Sequence, residues 1–123
     1  MRKKLFKAKK SSDGKWVKGS LVNTPFGTFI EWYEDSICNK EEVDPSTVCM
    51  FTGLKDCGGK ELFENDLIHF VGHKPIGTVI WSEENYAFMV ASGNEPLYWL
   101  SNVQEIGKIE IVGNKFDRKE GEK

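Results

Sequence analysis

The stretch "FTGLKDCGGKELFENDLIHF", residues 51–70, holds two turn signals and two apolar bursts. Its acidic, glycine-rich middle is either a chemical site or a device that reverses the chain, and that choice decides the fold. Asp56, Gly58 and Gly59 fall together in "KDCGGKE" between apolar segments, a composition that marks a turn. "ELFEND" follows, with Leu62 and Phe63 as an apolar anchor and Glu64, Asn65 and Asp66 as a polar corner. Asparagine tolerates the left-handed conformation better than most residues, so Asn65 suits the apex of a tight turn. Asp66 can then accept from backbone amides of its own turn. "LIHFV" departs as a strand, with Ile68 and Phe70 on one face and Leu67, His69 and Val71 on the other. The segment reads as scaffolding.

Working outward, the pattern stays β-like. "KLFKAKK" and "WVKGSLV" flank Asp13-Gly14, a dipeptide suited to the positive φ of a hairpin turn. Gly19 inside the second run marks a bulge or a close crossing. "TPFG" turns the chain and "TFIEWY" is a strand of bulky residues. Residues 34–47, "EDSICNKEEVDPST", read as a polar connection in which Asp44 or Ser46 can cap a single helical turn. "VCMF" is a short buried strand that "TGL" closes, so Thr52, Gly53 and Leu54 join the turn motif of Asp56, Gly59, Glu64, Asn65 and Asp66. Beyond "GHKP", the strands "IGTVIW", "YAFMVA", "LYWL" and "IEIVGN" form a meander with turns at "SEEN" and "SGNEP". The tail, residues 115–123, is charged and reads as frayed.

Short strands joined by small loops imply a mainly β chain with little helix: an N-terminal β-hairpin region and polar connection (1–49), then a small SH3-like barrel (50–114). At 123 residues, 39% hydrophobic and 29% charged, the whole chain reads as one domain. "MRKKLFKAKK" lacks the apolar stretch of a signal peptide, and no apolar run suits a membrane span, so the expected location is cytoplasmic. Cys38, Cys49 and Cys57 are odd in number and share no two-residue spacing, against a disulfide framework. The net charge of −2 conceals an asymmetry: residues 1–20 carry a local +7 and residues 31–66 a local −7. Such regions can neutralise each other within the fold or between copies, or the basic one can contact nucleic acid.

"VDPSTVCMFTGLKDCGGKELFENDLI" resembles the signature of the YopX family, small proteins encoded by phages and prophages. The matching positions are Asp44, Pro45, Thr47 and Val48, then Thr52 to Asp56, Gly59 and Lys60, Leu62 and Phe63, and Glu64 to Ile68. "GKWVKGSLV" and "IEIVGN" fit the family's flanks. Asn65 stands where the family usually carries glycine, which suits a positive-φ position rather than a catalytic one. Cys57 and Gly58 occupy a variable turn, and the tail departs from the acidic, proline-bearing one of many relatives. The resemblance implies a predominantly β protein with an SH3-like barrel region, from a phage or a bacterium carrying one, so the cytoplasm expected from the N-terminus is that of a host bacterium. It implies no reaction and carries over no catalytic residue.

The residues themselves agree. Asp56, Glu61, Glu64 and Asp66 are interrupted by apolar anchors and lack the alternate spacing of a calcium loop. His69 in a strand and His73 in a loop lose the meaning of a helical His-x-x-x-His pair. "GLKDCGGK" lacks the Gly-Lys-Ser/Thr ending of a phosphate loop, and no nucleophile elbow is present. No catalytic residue, cofactor or metal is therefore expected. The leading reading is a non-enzymatic phage or prophage accessory protein, a protein-interaction or assembly module that binds a protein partner or self-associates into a homo-oligomer. The alternative is a nucleic-acid-binding β-barrel in which Phe6 and Trp16 stack bases beside Lys3, Lys4, Lys7, Lys15 and Lys18. An enzyme with an unrecognised site stands third.

Overall fold

A computed structural model of the protein describes residues 5–70, 76–92, 95–100 and 109–117. Lys3, Lys4, His73, the "GHKP" connection and tail residues 118–123 lie outside the described residues. The chain is mainly β, as its sequence implies, and divides into two compact units, Met1–Phe51 and Thr52–Lys123.

In the first unit, β1 (Phe6–Lys9), β2 (Trp16–Thr24), β3 (Gly27–Glu34) and β4 (Ile37–Glu42) form an antiparallel sheet, and the start of β5 (Cys49–Lys55) pairs with β1. The strand order is β4-β3-β2-β1-β5. The β1–β2 reversal uses Gly14 at φ +73, with its N–H donating to the Lys10 carbonyl at 2.9 Å. One face carries the core: Ala8, Ile30 and Val43 are buried, with Phe6, Val17, Leu21, Trp32 and Val48 packed on them.

Residues 34–47 are not simply a connection. Asp35 and Ser36 both take positive φ, 51 and 68, so the chain makes a two-residue reversal and returns as β4. A turn with two left-handed residues usually announces itself by glycine or asparagine, and neither is present here. β4 itself, "ICNKEE", lacks an apolar alternation because it ends the sheet and most of its side chains are exposed. After it, Asp44 Oδ1 accepts from Ser46 N at 3.0 Å and Ser46 Oγ at 2.8 Å, capping a short 3-10 turn at Pro45–Thr47. Those two bonds hold the Asp44 carboxyl below its usual range, the side-chain bond more than the backbone one. "TGL" also does not close a strand: β5 runs on to Lys55 through Gly53 at φ +88.

Gly19 is a close crossing. A Cβ there would lie 2.2 Å from the backbone oxygen of Glu31, on the strand next door. Gly19→Ala is expected to destabilise the protein by about 1–3 kcal/mol, read as a lower urea midpoint, because backbone must shift to relieve the overlap. Gly14→Asn, at an open turn with nothing within 4 Å of the added Cβ, is expected to leave that midpoint nearly unchanged.

In the second unit, β6 (Glu61–Phe63) lies beside the end of β5, and β7 (Asp66–Phe70), β8 (Ile76–Ser82), β9 (Ala87–Ser92), β10 (Glu95–Trp99) and β11 (Ile109–Asn114) form a second antiparallel sheet. Its order is β10-β9-β8-β7-β11, so β11 returns to pair with β7. Glu95 and Pro96 belong to β10 rather than to the "SGNEP" turn; proline is tolerated there because β10 ends the sheet. Among the described residues no pairing joins β10 to β11, so closure into an SH3-like barrel stays an expectation. The core comprises Leu62, Ile68, Val79, Val90, Leu100 and Ile109, with Leu54, Phe88 and Ile111 packed against it. Burying a large aliphatic side chain is worth about 1.5–3 kcal/mol, so this cluster is the main source of the unit's stability.

Candidate functional site

The 52–66 motif is built from backbone outward. Thr52 Oγ1 donates to the Leu62 carbonyl at 2.8 Å and accepts from Leu54 N at 3.1 Å, bracing the kink at Gly53. Asp56 starts a tight loop closed by its N–H to the Lys60 carbonyl at 2.9 Å, with Gly59 at φ +85. Its Oδ1 accepts from Gly58 N and Lys60 N, both at 2.9 Å, and its Oδ2 from Ile111 N at 3.1 Å. Burial pushes the Asp56 carboxyl up, but the three amides of Ile111, Lys60 and Gly58, with the Lys60 charge, outweigh it and hold it below the usual range. At the second corner Asn65 has φ +73, and Asp66, 1% exposed, accepts from Phe63 N at 2.8 Å and from Asn114 Nδ2 at 2.9 Å. Glu64 is half-buried in that corner. Asn65→Val is expected to cost about 1–2 kcal/mol in thermal unfolding, because a β-branched residue resists this φ, whereas Asn65→Gly is expected to keep most of the stability.

Asp56 and Asp66 thus each hold a different turn through backbone amides. Among the described residues no group of three or more His, Cys, Asp or Glu side chains is arranged to hold a metal ion. His69 Nε2 meets Glu110 Oε1 at 2.8 Å as a cross-strand pair between β7 and β11. Cys49 is buried, and its thiol donates to the Thr47 carbonyl at 3.2 Å; Cys38 and Cys57 are exposed.

The basic residues gather on the first unit's open sheet face. Register places Lys7 opposite Lys18 and Lys9 opposite Trp16, on the side away from Ala8. Lys7 Nζ lies 4.6 Å and Lys9 Nζ 5.3 Å from the centre of the Trp16 ring. Continuing across the sheet, Ser20, Glu31 and Lys40 are successive partners, so the same face carries Tyr33 and Phe29. Lys40 Nζ sits 4.8 Å over the Phe29 ring, and Tyr33 is 73% exposed. Cys38, opposite Tyr33, raises the phenol's pKa by its charge and by a hydrogen bond.

The structure therefore separates the residues that the sequence grouped. Trp16, Lys7 and Lys18 share the open face, whereas Phe6 packs against the core cluster on the other side. Lys15 is exposed just before β2, with its N–H on Asp13 Oδ1 at 3.0 Å. Lys9, Phe29, Tyr33 and Lys40 join this face through strand register, which the sequence does not display. Lys9 follows Lys7 by two, a strand-period signal available in the sequence; Lys40 was hidden with β4.

The profile of the YopX protein family matches residues 5–120. The chain belongs to the YopX family. No curated protein matches it. In this YopX chain the motif residues have structural work: Asp44 caps, Thr47 Oγ1 donates to the Asp44 carbonyl at 2.7 Å and accepts from Lys9 N at 2.9 Å, and Asp56 and Asp66 hold turns. Among the described residues of this YopX protein, no helix is long and apolar enough to cross a membrane.

Proposed function

We propose that this YopX protein is a non-enzymatic accessory protein of a phage or prophage, acting in the host cytoplasm as a binding module. Its working surface is the open face of the β4-β3-β2-β1 sheet. The observation that carries this reading is the division of labour between polar groups. Asp56 and Asp66 are occupied by backbone and asparagine donors, whereas Tyr33, Lys18 and Lys40 stand exposed on a regular sheet face. Rigid strands presenting exposed aromatic and charged side chains are suited to recognition.

The test compares capture of host and phage components by the wild type and by a Tyr33→Ala/Lys18→Glu variant of unchanged melting temperature. The reading expects a specific component to be retained by the wild type and lost by the variant. Equal capture by both, or turnover of a captured small molecule by the purified protein, overturns it.

A further inference from the structure

Resting on that reading of the face, we infer that its ligand is single-stranded nucleic acid. Four lysines, Lys7, Lys9, Lys18 and Lys40, stand on this side of the sheet against two acids, Glu31 and Glu42. The side is thus locally positive on a chain whose net charge is −2. Charge alone would equally suit an acidic peptide. The rings separate the two cases.

Trp16, Phe29 and Tyr33 lie on three positions of the same face, each with a cation or a polar strand neighbour beside it. Every base offers a π-face, so aromatic side chains interleaved with lysines bind single strands with little sequence preference. A duplex keeps its bases stacked inside and gives these rings nothing to stack on. Lys7 and Lys9 stand over the Trp16 ring at 4.6 and 5.3 Å and Lys40 over the Phe29 ring at 4.8 Å, so a base stacks on these two rings as the ammonium groups swing from the ring faces onto its phosphates. Tyr33, the most exposed of the three, is the first ring that an incoming base meets. A strand crossing from β1 toward β4 passes Trp16 and Lys18 before Tyr33 and Lys40.

The experiment is fluorescence anisotropy of a labelled oligothymidine of ~15 nucleotides titrated with the full chain. Single-strand binding weakens with salt by a log–log slope of about −0.7 per neutralised phosphate; four lysines predict roughly a 50-fold loss between 50 and 200 mM salt. Tyr33→Ala is expected to weaken binding roughly 5- to 150-fold, the range for one stacked base. Lys18→Glu should weaken it and flatten the salt slope. Tyr86→Ala, at an exposed aromatic of the second unit, should change nothing.

Circular dichroism establishes that each variant is folded; if Tyr33→Ala is not, Tyr33→Ser and Lys40→Glu give the same reading on the same face. No anisotropy change at 50 mM salt overturns the inference, as does equal affinity for the duplex. If oligothymidine does not bind while a protein is captured through this face, the nucleic-acid ligand falls and the binding-module reading stands. If neither capture nor oligothymidine binding responds to the face variants, both fall.

Discussion

Asp66→Ala is expected to lower the stability of the protein by about 3–5 kcal/mol, because it strands two buried donors at once. Asp66 is 1% exposed and Asn114 3%, so water cannot replace what the carboxylate supplies. One oxygen holds the Phe63 amide, at the end of β6, and the other holds the Asn114 amide group, 48 positions further along the chain. Asn114 in turn accepts from Phe116 N at 2.9 Å, so loss of Asp66 loosens the end of β11 as well as the corner. Equilibrium urea unfolding checks this: with a slope of ~1–3 kcal/mol per molar, the midpoint falls by more than 1 M. The exchange Asp66→Asn with Asn114→Asp discriminates geometry from composition. In the exchanged protein the amide now at the corner can accept from Phe63 N and donate to the carboxylate now at the end of β11, which still accepts from Phe116 N. Recovery of at least half the loss is expected. A cost below about 1 kcal/mol for Asp66→Ala would show that the carboxylate does not hold the corner.

This corner also shows what the sequence reveals and what it hides. The turn was legible at Asn65 and Asp66, because left-handed backbone and local amide bonding are properties of a few adjacent residues. The strands β2, β3, β8, β9 and β11 were legible from bulky, alternating residues, since a half-buried sheet demands that period. The long-range halves of the same carboxylates were not. Asn114 reaches Asp66, and Ile111 reaches Asp56, only because β11 comes back to pair with β7, and no spacing in the chain encodes that return. β4 escaped for the opposite reason. A sheet-end strand with exposed side chains needs no apolar pattern, and its turn at Asp35 and Ser36 carries no glycine. With β4 went Lys40, and with the register of β1 on β2 went the contact of Lys9 with Trp16. The open face is therefore a product of register, which explains why the sequence paired Trp16 with Phe6 and not with Tyr33.

Asp56 gives the second large effect, and the effect depends on pH. Alanine here leaves the amides of Gly58, Lys60 and Ile111 without their acceptor, and Asp56 is only 8% exposed; a loss of about 2–4 kcal/mol is expected. Asparagine is more informative. Its oxygen can take the place of Oδ1 and keep Gly58 and Lys60, but its NH2 then faces the Ile111 amide, donor against donor. Asp56→Asn should thus retain the 56–60 loop and the Cys57 N–H bond to the Ile109 carbonyl at 2.8 Å, lose the side chain's own tie to Ile111 and cost about 1–2 kcal/mol at neutral pH. The carboxyl's folded pKa lies below its unfolded value of ~3.9, so its contribution is fully present above that value and disappears as pH falls through the folded one. The gap between wild type and Asp56→Asn is expected to be constant from about pH 7 to 5 and to narrow below about pH 4. Asp13 and Asp44, whose carboxyls are also lowered, titrate in both proteins and cancel in the difference. Urea midpoints measured across this range decide the matter. A gap that persists undiminished to about pH 3 would mean that the amides do not depend on the ionised carboxylate. Narrowing on schedule would tie acid sensitivity to the very bonds that make Asp56 a turn residue.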